Sequence, residues 1–221
     1  MPERLLSRSE AKDFYDRFGS KQDQQGWYED AAIDALLNAS NFEQAKSVLE
    51  LGCGTGRLAE TLLAHHLPET ATYLGLDVSD TMIRLTRERL SRFGGRATVK
   101  LHDAPGVPTL EEGGCDRFLS TYVLDLLPDA EIRRILAWAA SVVEPGGLLC
   151  LAGLTRGRGW ASRLVMGCWE AVFRVNPKWV GGCRPMTLST RLDPADWAVE
   201  HREVVVAWGI ASEVLVARRA P

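Results

Sequence analysis

The sequence predicts an α/β fold with a largely parallel sheet covered by helices on both faces, and three observations lead to this prediction. Apolar runs that suit buried strands alternate with amphipathic helical patterns from residue 47 to residue 154. The first run enters a glycine-rich turn, VLELGCGTG at residues 48–56. The last two runs are separated only by a few residues around Gly209, too few for a crossover helix. The final strand pair is therefore expected to be antiparallel.

The individual elements follow from periodicity and capping. Apolar runs predict strands at residues 47–53, 72–78, 97–103, 115–124 and 147–154, with the final pair at 199–210 and 212–220. Helical periodicity predicts helices near residues 30–39 and at 57–67, 79–93 and 129–143. Ser79 or Asp80 would cap the third of these helices, and the turn EPGG would end the fourth.

Composition limits the classes of function. The chain has 221 residues, of which 46% are hydrophobic and 25% charged, so it can form one globular domain or a core with a small cap. No window approaches the roughly eighteen uninterrupted apolar residues that a membrane span needs. The N-terminus is too charged for a signal peptide, which predicts a cytoplasmic protein. The net charge of −3 gives little reason to expect a nucleic acid partner.

The cysteines and histidines predict reduced thiols and no metal site. The five cysteines are odd in number and form no CxxC pair. The four histidines include an adjacent pair but no spacing that is typical of metal ligands.

The glycine-rich turn predicts a binding site. A strand that turns directly into a helix leaves backbone N–H groups and a helix N-terminus at the carboxyl edge of the sheet, open to a ligand. A dinucleotide site needs GxGxxG, but counting from Gly52 the third glycine position falls on Arg57. The frame that starts at Gly54, GTGRLA, does fit GxGxx[GA] and keeps this alternative open, although its first glycine lies two residues beyond the turn.

The register ExGxGxG, with Glu50 inside the first strand, resembles motif I of the class I S-adenosylmethionine-dependent methyltransferases. The resemblance extends from Ser47 to the end of the chain. It implies a seven-stranded Rossmann-like sheet in the order 3-2-1-4-5-7-6, with the last strand antiparallel. It also implies an N-terminal helical cap at residues 1–40, a methyltransferase core at 41–221 and a lid insertion between strands five and six at 156–191.

The resemblance implies S-adenosylmethionine as cofactor and S-adenosylhomocysteine as its product. Asp77 matches the acid that holds the ribose hydroxyls, Val78 and Met82 match apolar contacts to adenine, and Asp103 matches the acceptor of the adenine amino group. A buried Glu50 needs a partner, for which the cofactor's ammonium is expected. The residues expected to bind the cofactor are Tyr15, Glu50, Gly52, Cys53, Gly54, Gly56, Asp77, Val78, Met82, Asp103, Ala104 and Thr121.

The sequence pattern for the acceptor site is less specific than the pattern for the cofactor site. The segments DFYDRFG and QGWYED resemble the tyrosine-bearing start of the ubiquinone, menaquinone and phospholipid methyltransferase group, which implies acceptor contacts from Trp27 and Tyr28. Many relatives carry histidines near positions 125 and 126, where this chain has Asp125 and Leu126. Tyr122 and Asp125 are therefore the candidate catalytic residues, either to orient or to deprotonate the acceptor.

The segment 156–191 predicts a lid of distinct chemistry. It carries seven basic residues against one acid, Glu170, and three of the seven tryptophans. Within it, Trp169 and Arg184 are candidate contacts to a lipophilic or anionic acceptor, although a cap helix packed on the sheet would also fit the pattern.

The function expected from these features is methyl transfer from S-adenosylmethionine to a small or lipid-like molecule. Three alternatives stay open. The chain could act on phospholipid head groups or quinones with peripheral contact to a membrane, it could bind S-adenosylmethionine without catalysis, or it could be a dinucleotide oxidoreductase.

Overall fold

A computed structural model describes residue 5 and residues 7–104, 106–110 and 114–221. The strands are β1 (Ser47–Leu51), β2 (Thr72–Asp77), β3 (Ala97–Leu101), β4 (Cys115–Thr121), β5 (Val143–Leu154), β6 (Trp197–Ala207) and β7 (Ile210–Arg219). The α-helices are α1 (Arg8–Phe18), α2 (Gly26–Ala39), α3 (Arg57–Thr61), α4 (Asp80–Leu90), α5 (Asp129–Val142) and α6 (Gly159–Val175).

The strands form one seven-stranded sheet in the order β3-β2-β1-β4-β5-β7-β6, which confirms the predicted topology. Strands β1 to β5 pair in parallel, and β7 lies antiparallel between β5 and β6. The connection from β6 to β7 is the two-residue turn Trp208 and Gly209, since Ala207 already pairs with Ile210. So short a turn permits only antiparallel pairing.

Alternating side chains divide the core between the two faces of the sheet. Val48 packs on one face with Leu36 of α2 and Leu62, and its neighbour Leu49 packs on the other face with Ile132 of α5. Ser79 caps α4 by accepting a hydrogen bond from the backbone N–H of Met82 at 3.1 Å, as the sequence predicts.

Several element boundaries differ from the predicted ones, and two of these differences have a clear structural cause. The first strand ends at Leu51 because Gly52 has a positive φ of 79°, and the N–H groups of Gly52 and Cys53 both donate to the carbonyl of Leu76. The EPGG segment does not precede β5 as a separate turn but lies inside it. The register there passes from Cys115 opposite Val143 to Arg117 opposite Leu148, so residues 144–147 form a bulge.

The described part of the chain contains no helix that is both long and apolar enough to cross a bilayer. Helix α2 packs against β5, β6 and β7, and α6 follows β5 in the segment between strands five and six. The division into cap, core and lid stays a prediction.

Candidate functional site

Two adjoining cavities lie at the carboxyl ends of β1, β2 and β4. The larger has a volume of about 200 Å³ and the smaller about 60 Å³. Both are lined by Tyr15, Gln22, Gly52, Gly54, Thr121 and Tyr122, so they form one elongated site around the glycine turn. This is the edge of a parallel sheet at which ligands of such folds bind.

The glycines of the turn are required by close contacts and by positive φ values. A Cβ on Gly52 would lie 2.2 Å from Cγ2 of Val123, and the positive φ of Gly52 is itself unfavourable for other residues. The N–H of Gly54 donates to Oδ2 of Asp77 at 2.9 Å, which ties the turn to the end of β2. Gly56, at φ 78°, precedes the first residue of α3. The turn is therefore a backbone cradle fixed by β2 and by the segment after β4.

Asp77 is held in place by backbone donors on both of its oxygens. Oδ1 accepts from the N–H of Ser79 at 2.9 Å, while Oδ2 accepts from Gly54. Burial raises the pKa of Asp77 above its ordinary value, although these N–H groups oppose the shift. A carboxylate keeps further acceptor sites after two hydrogen bonds, and Asp77 lines the larger cavity with Val78 and Met82. This end of the site can bind a diol next to an apolar ring.

The loop after β3 contributes to the larger cavity through a residue that the sequence does not single out. His102 lines the cavity, and its Nε2 lies 3.1 Å from the carbonyl oxygen of Gly106. Asp103 and Ala104 lie exposed just beyond it. The contact of Asp103 with an adenine amino group stays a prediction.

The smaller cavity has an acidic floor at Glu50. This side chain is fully buried, and it accepts a hydrogen bond at 2.5 Å from the hydroxyl of Tyr73, a partner that the sequence does not reveal. Burial raises the pKa of Glu50 to about 7, and the Tyr73 hydrogen bond opposes the shift. Cys53 is buried beside it and lines the same cavity, and its contact with the cofactor stays a prediction.

Glu29 is a second buried carboxylate of the smaller cavity, and sequence reasoning missed it. Burial raises its pKa to about 7, while a hydrogen bond with Tyr28 and the charge of Arg57 oppose the shift. Helical spacing in the sequence could have identified Glu29 as buried. Glu29 precedes Ala32 and Leu36 by three and seven residues, which places it on the buried face of α2.

An aromatic cluster extends from Tyr122, at the wall of the smaller cavity, to Tyr28 and Trp169 behind it. The ring of Tyr28 lies edge-on to Tyr122 at 6.0 Å and to Trp169 at 6.3 Å between centroids. Tyr122 has a positive φ of 55°, and its hydroxyl lies 2.9 Å from Oγ of Ser212. Nε1 of Trp169 donates to the carbonyl of Cys183 at 2.9 Å, which fixes α6 against the cavity. Of these rings, Tyr122 lines both cavities, whereas Tyr28 and Trp169 pack behind it and Trp27 is 57% exposed, so the acceptor contacts of Trp27, Tyr28 and Trp169 stay predictions.

Asp125 and Arg184 lie behind the cavities rather than among the described residues that line them. Oδ2 of Asp125 accepts from the N–H of Leu154 at 3.0 Å. Burial raises the pKa of Asp125 to about 7. The guanidinium of Arg184 donates to Oδ1 of Asp129 at 2.7 Å and to the carbonyl of Leu127 at 2.8 Å. Arg184 thus supports the segment 126–128, which lines the larger cavity, whereas the side chain of Asp125 is tied to the end of β5.

The donor and acceptor set fits S-adenosylmethionine. Asp77 offers acceptors for a ribose diol, and Met82 and Val78 offer an apolar surface for adenine. At the other end, Oε1 of Gln22 is buried and has no hydrogen-bond partner among the described residues, and Glu50 lies in the same cavity. A ligand ammonium would supply the missing donor to such acceptors.

Comparison with known proteins agrees with this fit. Residues 48–147 match a family model described as a methyltransferase domain. The chain is 31% identical over 153 residues to the non-reducing polyketide synthase mapC of Penicillium roqueforti, covering 64% of this chain and 6% of that protein. It is 28% identical over 178 residues to 2-methyl-6-phytyl-1,4-hydroquinone methyltransferase 2 of Oryza sativa subsp. japonica, covering 72% of this chain and 49% of that protein.

Among solved structures, the fold is similar to that of the N-methyltransferase NodS from Bradyrhizobium japonicum in complex with S-adenosylhomocysteine. The TM-score is 0.64 at 18% identity, over 87% of this chain and 88% of that chain. The likeness concerns the fold. The chain spans less than half the length of either curated relative described above.

Proposed function

The chain belongs to the class I S-adenosylmethionine-dependent methyltransferases, and from that membership we propose that it transfers a methyl group to a small lipophilic molecule bearing an ionisable hydroxyl or amine. The observation that carries the proposal is the smaller cavity. It combines aromatic side chains, Tyr15 and Tyr122, with a buried carboxylate, Glu29. A pocket that sets aromatic side chains beside polar ones, here Gln22, Glu50 and Arg57, can hold a small ring and orient its polar substituent.

The relatives support this class of acceptor without defining it. The name of the rice relative states a hydroquinone substrate, that is, a lipophilic ring with ionisable hydroxyls. A planar ring of this kind would contact Tyr122 and Tyr15, which line the cavity, edge-on or by offset stacking.

The chemistry needs little from the protein beyond orientation and exclusion of water. S-adenosylmethionine, when bound, supplies a methyl group that is activated by a positive sulfonium. Gly52, Gly54 and Asp77 would hold this cofactor along the turn, and Tyr122 would orient the acceptor. Transfer of this methyl group to an oxygen or nitrogen of the acceptor would leave S-adenosylhomocysteine and would release the acceptor's own proton to a base.

Glu29 is the side chain that we assign to accept this proton. Its pKa of about 7 suits a base at neutral pH, and a positive charge entering the cavity would lower that pKa and favour the carboxylate. Tyr122 is unsuited to the role because burial raises the pKa of its hydroxyl far above neutral, and that hydroxyl pairs with Ser212. Tyr122 is therefore assigned to orientation.

The function is tested by transfer of a labelled methyl group. Purified protein is incubated with a total cell extract and with S-adenosylmethionine that carries a radioactive methyl group. The extract is then separated into organic-soluble, nucleic acid and protein fractions. We expect label in the organic-soluble fraction, because the acceptor pocket is small and aromatic.

Two results would overturn the proposal. Label that enters only protein or nucleic acid would contradict the acceptor class. Absence of transfer into any fraction, with S-adenosylhomocysteine binding still measurable by calorimetry, would favour the module that binds the cofactor without catalysis.

A further inference from the structure

Helix α6 is apolar on the side that faces away from the protein. Its inner side is fixed by the buried Met166 and Phe173. On the outer side, Trp160 is 83% exposed, and Leu164 and Val175 are also exposed. These outer residues follow helical spacing along a helix of 17 residues, which is about 25 Å long. A solvated helix would carry polar residues along this line, so the stripe indicates a surface that contacts another apolar phase.

The tip of the β6–β7 hairpin extends the same surface. Trp208 is 81% exposed and adopts φ 54° in a turn that usually takes Asn, Asp or Gly. The carbonyl of the next residue, Gly209, accepts from Oγ of Ser162 at 3.0 Å, so the tip lies against the first turns of α6. Two tryptophans from separate elements, Trp160 and Trp208, thus stand exposed at one end of the stripe.

Positive charge is concentrated at this same end. Arg156, Arg158 and Arg163 are exposed, and none makes an ion pair within the portion of the chain that the structure describes. The first turn of α6 contains no acid, so the positive pole of the helix dipole adds to these arginines. Farther along, Glu170 is paired with Arg174 at 2.7 Å. Glu170 is the one acid in residues 156–191, so this segment offers no other acid to balance the three arginines.

We propose that the outer face of α6 and the tip of the β6–β7 hairpin form a docking surface for an anionic lipid bilayer. Tryptophan rings favour the boundary between head groups and acyl chains, where Trp160 and Trp208 would insert. The three arginines would contact anionic head groups, each contributing about fivefold to the affinity.

A second copy of the chain fits this surface poorly. In a two-fold symmetric dimer the same patch faces itself, which would bring the arginine clusters of both protomers together without acids to pair them. A bilayer of anionic lipids complements both the apolar stripe and the charge.

The observations that support the docking surface do not depend on the proposed function, but one consequence does rest on it. The inner side of α6 reaches the acceptor site through Trp169, which contacts Tyr28. The helix therefore separates the proposed bilayer contact from the smaller cavity, and a lipophilic acceptor would enter beside it.

Vesicle flotation of the purified chain tests the proposal. We expect binding to vesicles of phosphatidylglycerol and phosphatidylcholine at low salt, and loss of binding in high salt or with phosphatidylcholine alone. The double variant Arg158→Glu and Arg163→Glu should bind at least about tenfold more weakly. The double variant Trp160→Ser and Trp208→Ser should also lose binding, and the blue shift of tryptophan fluorescence should disappear with it.

Matched controls come from the same chain. Val199→Ser removes an exposed apolar side chain of β6 roughly 30 Å from the hairpin tip, and Arg134→Glu reverses an exposed charge on α5. Both should bind vesicles as the wild type does. No binding of the wild type at low salt, or unchanged binding in both double variants, would overturn the docking surface. The affinity for S-adenosylhomocysteine, measured by calorimetry, should be the same in every variant. A loss of vesicle binding can then be distinguished from a failure of the proposed function.

Discussion

Asp77→Ala is expected to weaken the binding of S-adenosylhomocysteine by about 1.5 to 3 kcal/mol, or about ten- to a hundredfold in dissociation constant. The variant removes the acceptors that we propose for the ribose hydroxyls, and it also releases the N–H groups of Gly54 and Ser79, which fix the glycine turn. The measurement is calorimetric titration of purified protein.

The matched control is Asp80→Ala, which removes an exposed carboxylate three residues farther along, paired with Lys12. Its affinity should equal that of the wild type. Asp77→Asn keeps one side-chain acceptor, so its loss of affinity should be intermediate. This variant provides the test if Asp77→Ala does not fold. Unchanged affinity in Asp77→Ala would show that the ribose contact is assigned to the wrong residue.

Glu29→Gln is expected to lower the rate of methyl transfer by about a hundredfold or more, the usual contribution of a positioned base. The wild-type rate should rise with pH as the carboxyl loses its proton, and the variant should lack this rise because its amide does not titrate. The assay is transfer of labelled methyl groups to the extract fraction that the wild type methylates.

Above about pH 7, Glu29→Gln should increase the free energy of unfolding, although it lowers the rate of methyl transfer. The folded protein raises the pKa of Glu29 from 4.5 to about 7, so it binds more protons than the unfolded chain between these values. The free energy of unfolding of the wild type therefore falls as the pH rises from 4.5 to 7. Above pH 7 the wild type should be up to about 3 kcal/mol less stable than at low pH, whereas the glutamine variant should not lose this stability. Urea unfolding at pH 4 and pH 8 measures this difference.

Asp34→Asn serves as the control because Asp34 lies exposed on the same helix. It should change neither the rate nor the pH dependence of stability. A Glu29→Gln variant that transfers methyl groups at the wild-type rate would remove Glu29 from the mechanism.

The cofactor half of the site could be predicted from the sequence because its residues are local to strand ends. Gly52 and Gly54 follow a buried strand, and Asp77 ends the next one, so parallel pairing alone brings them to the same edge. Positive φ values at both glycines and the hydrogen bond from Gly54 to Asp77 agree with that prediction.

The acceptor half depends on contacts between distant segments, which periodicity does not encode. Glu29 reaches the cavity only because α2 packs against β5, β6 and β7. Arg184 follows a turn, and the sequence does not indicate which residue its side chain contacts. In the structure its guanidinium donates to Asp129 at the start of α5. The exposure of Trp208 likewise depends on the length of the β6–β7 turn.

A crystal structure of the chain with S-adenosylhomocysteine bound tests the central claim most directly, since it reads the orientation of the ligand along the whole site. The account predicts ribose hydroxyls on the carboxylate of Asp77, adenine between Val78 and Met82, and the amino group near Oε1 of Gln22 and Glu50. The sulfur should then face the cavity between Tyr122 and Glu29. A ligand that lies with its sulfur away from Glu29, or outside the cavities around the glycine turn, would contradict it.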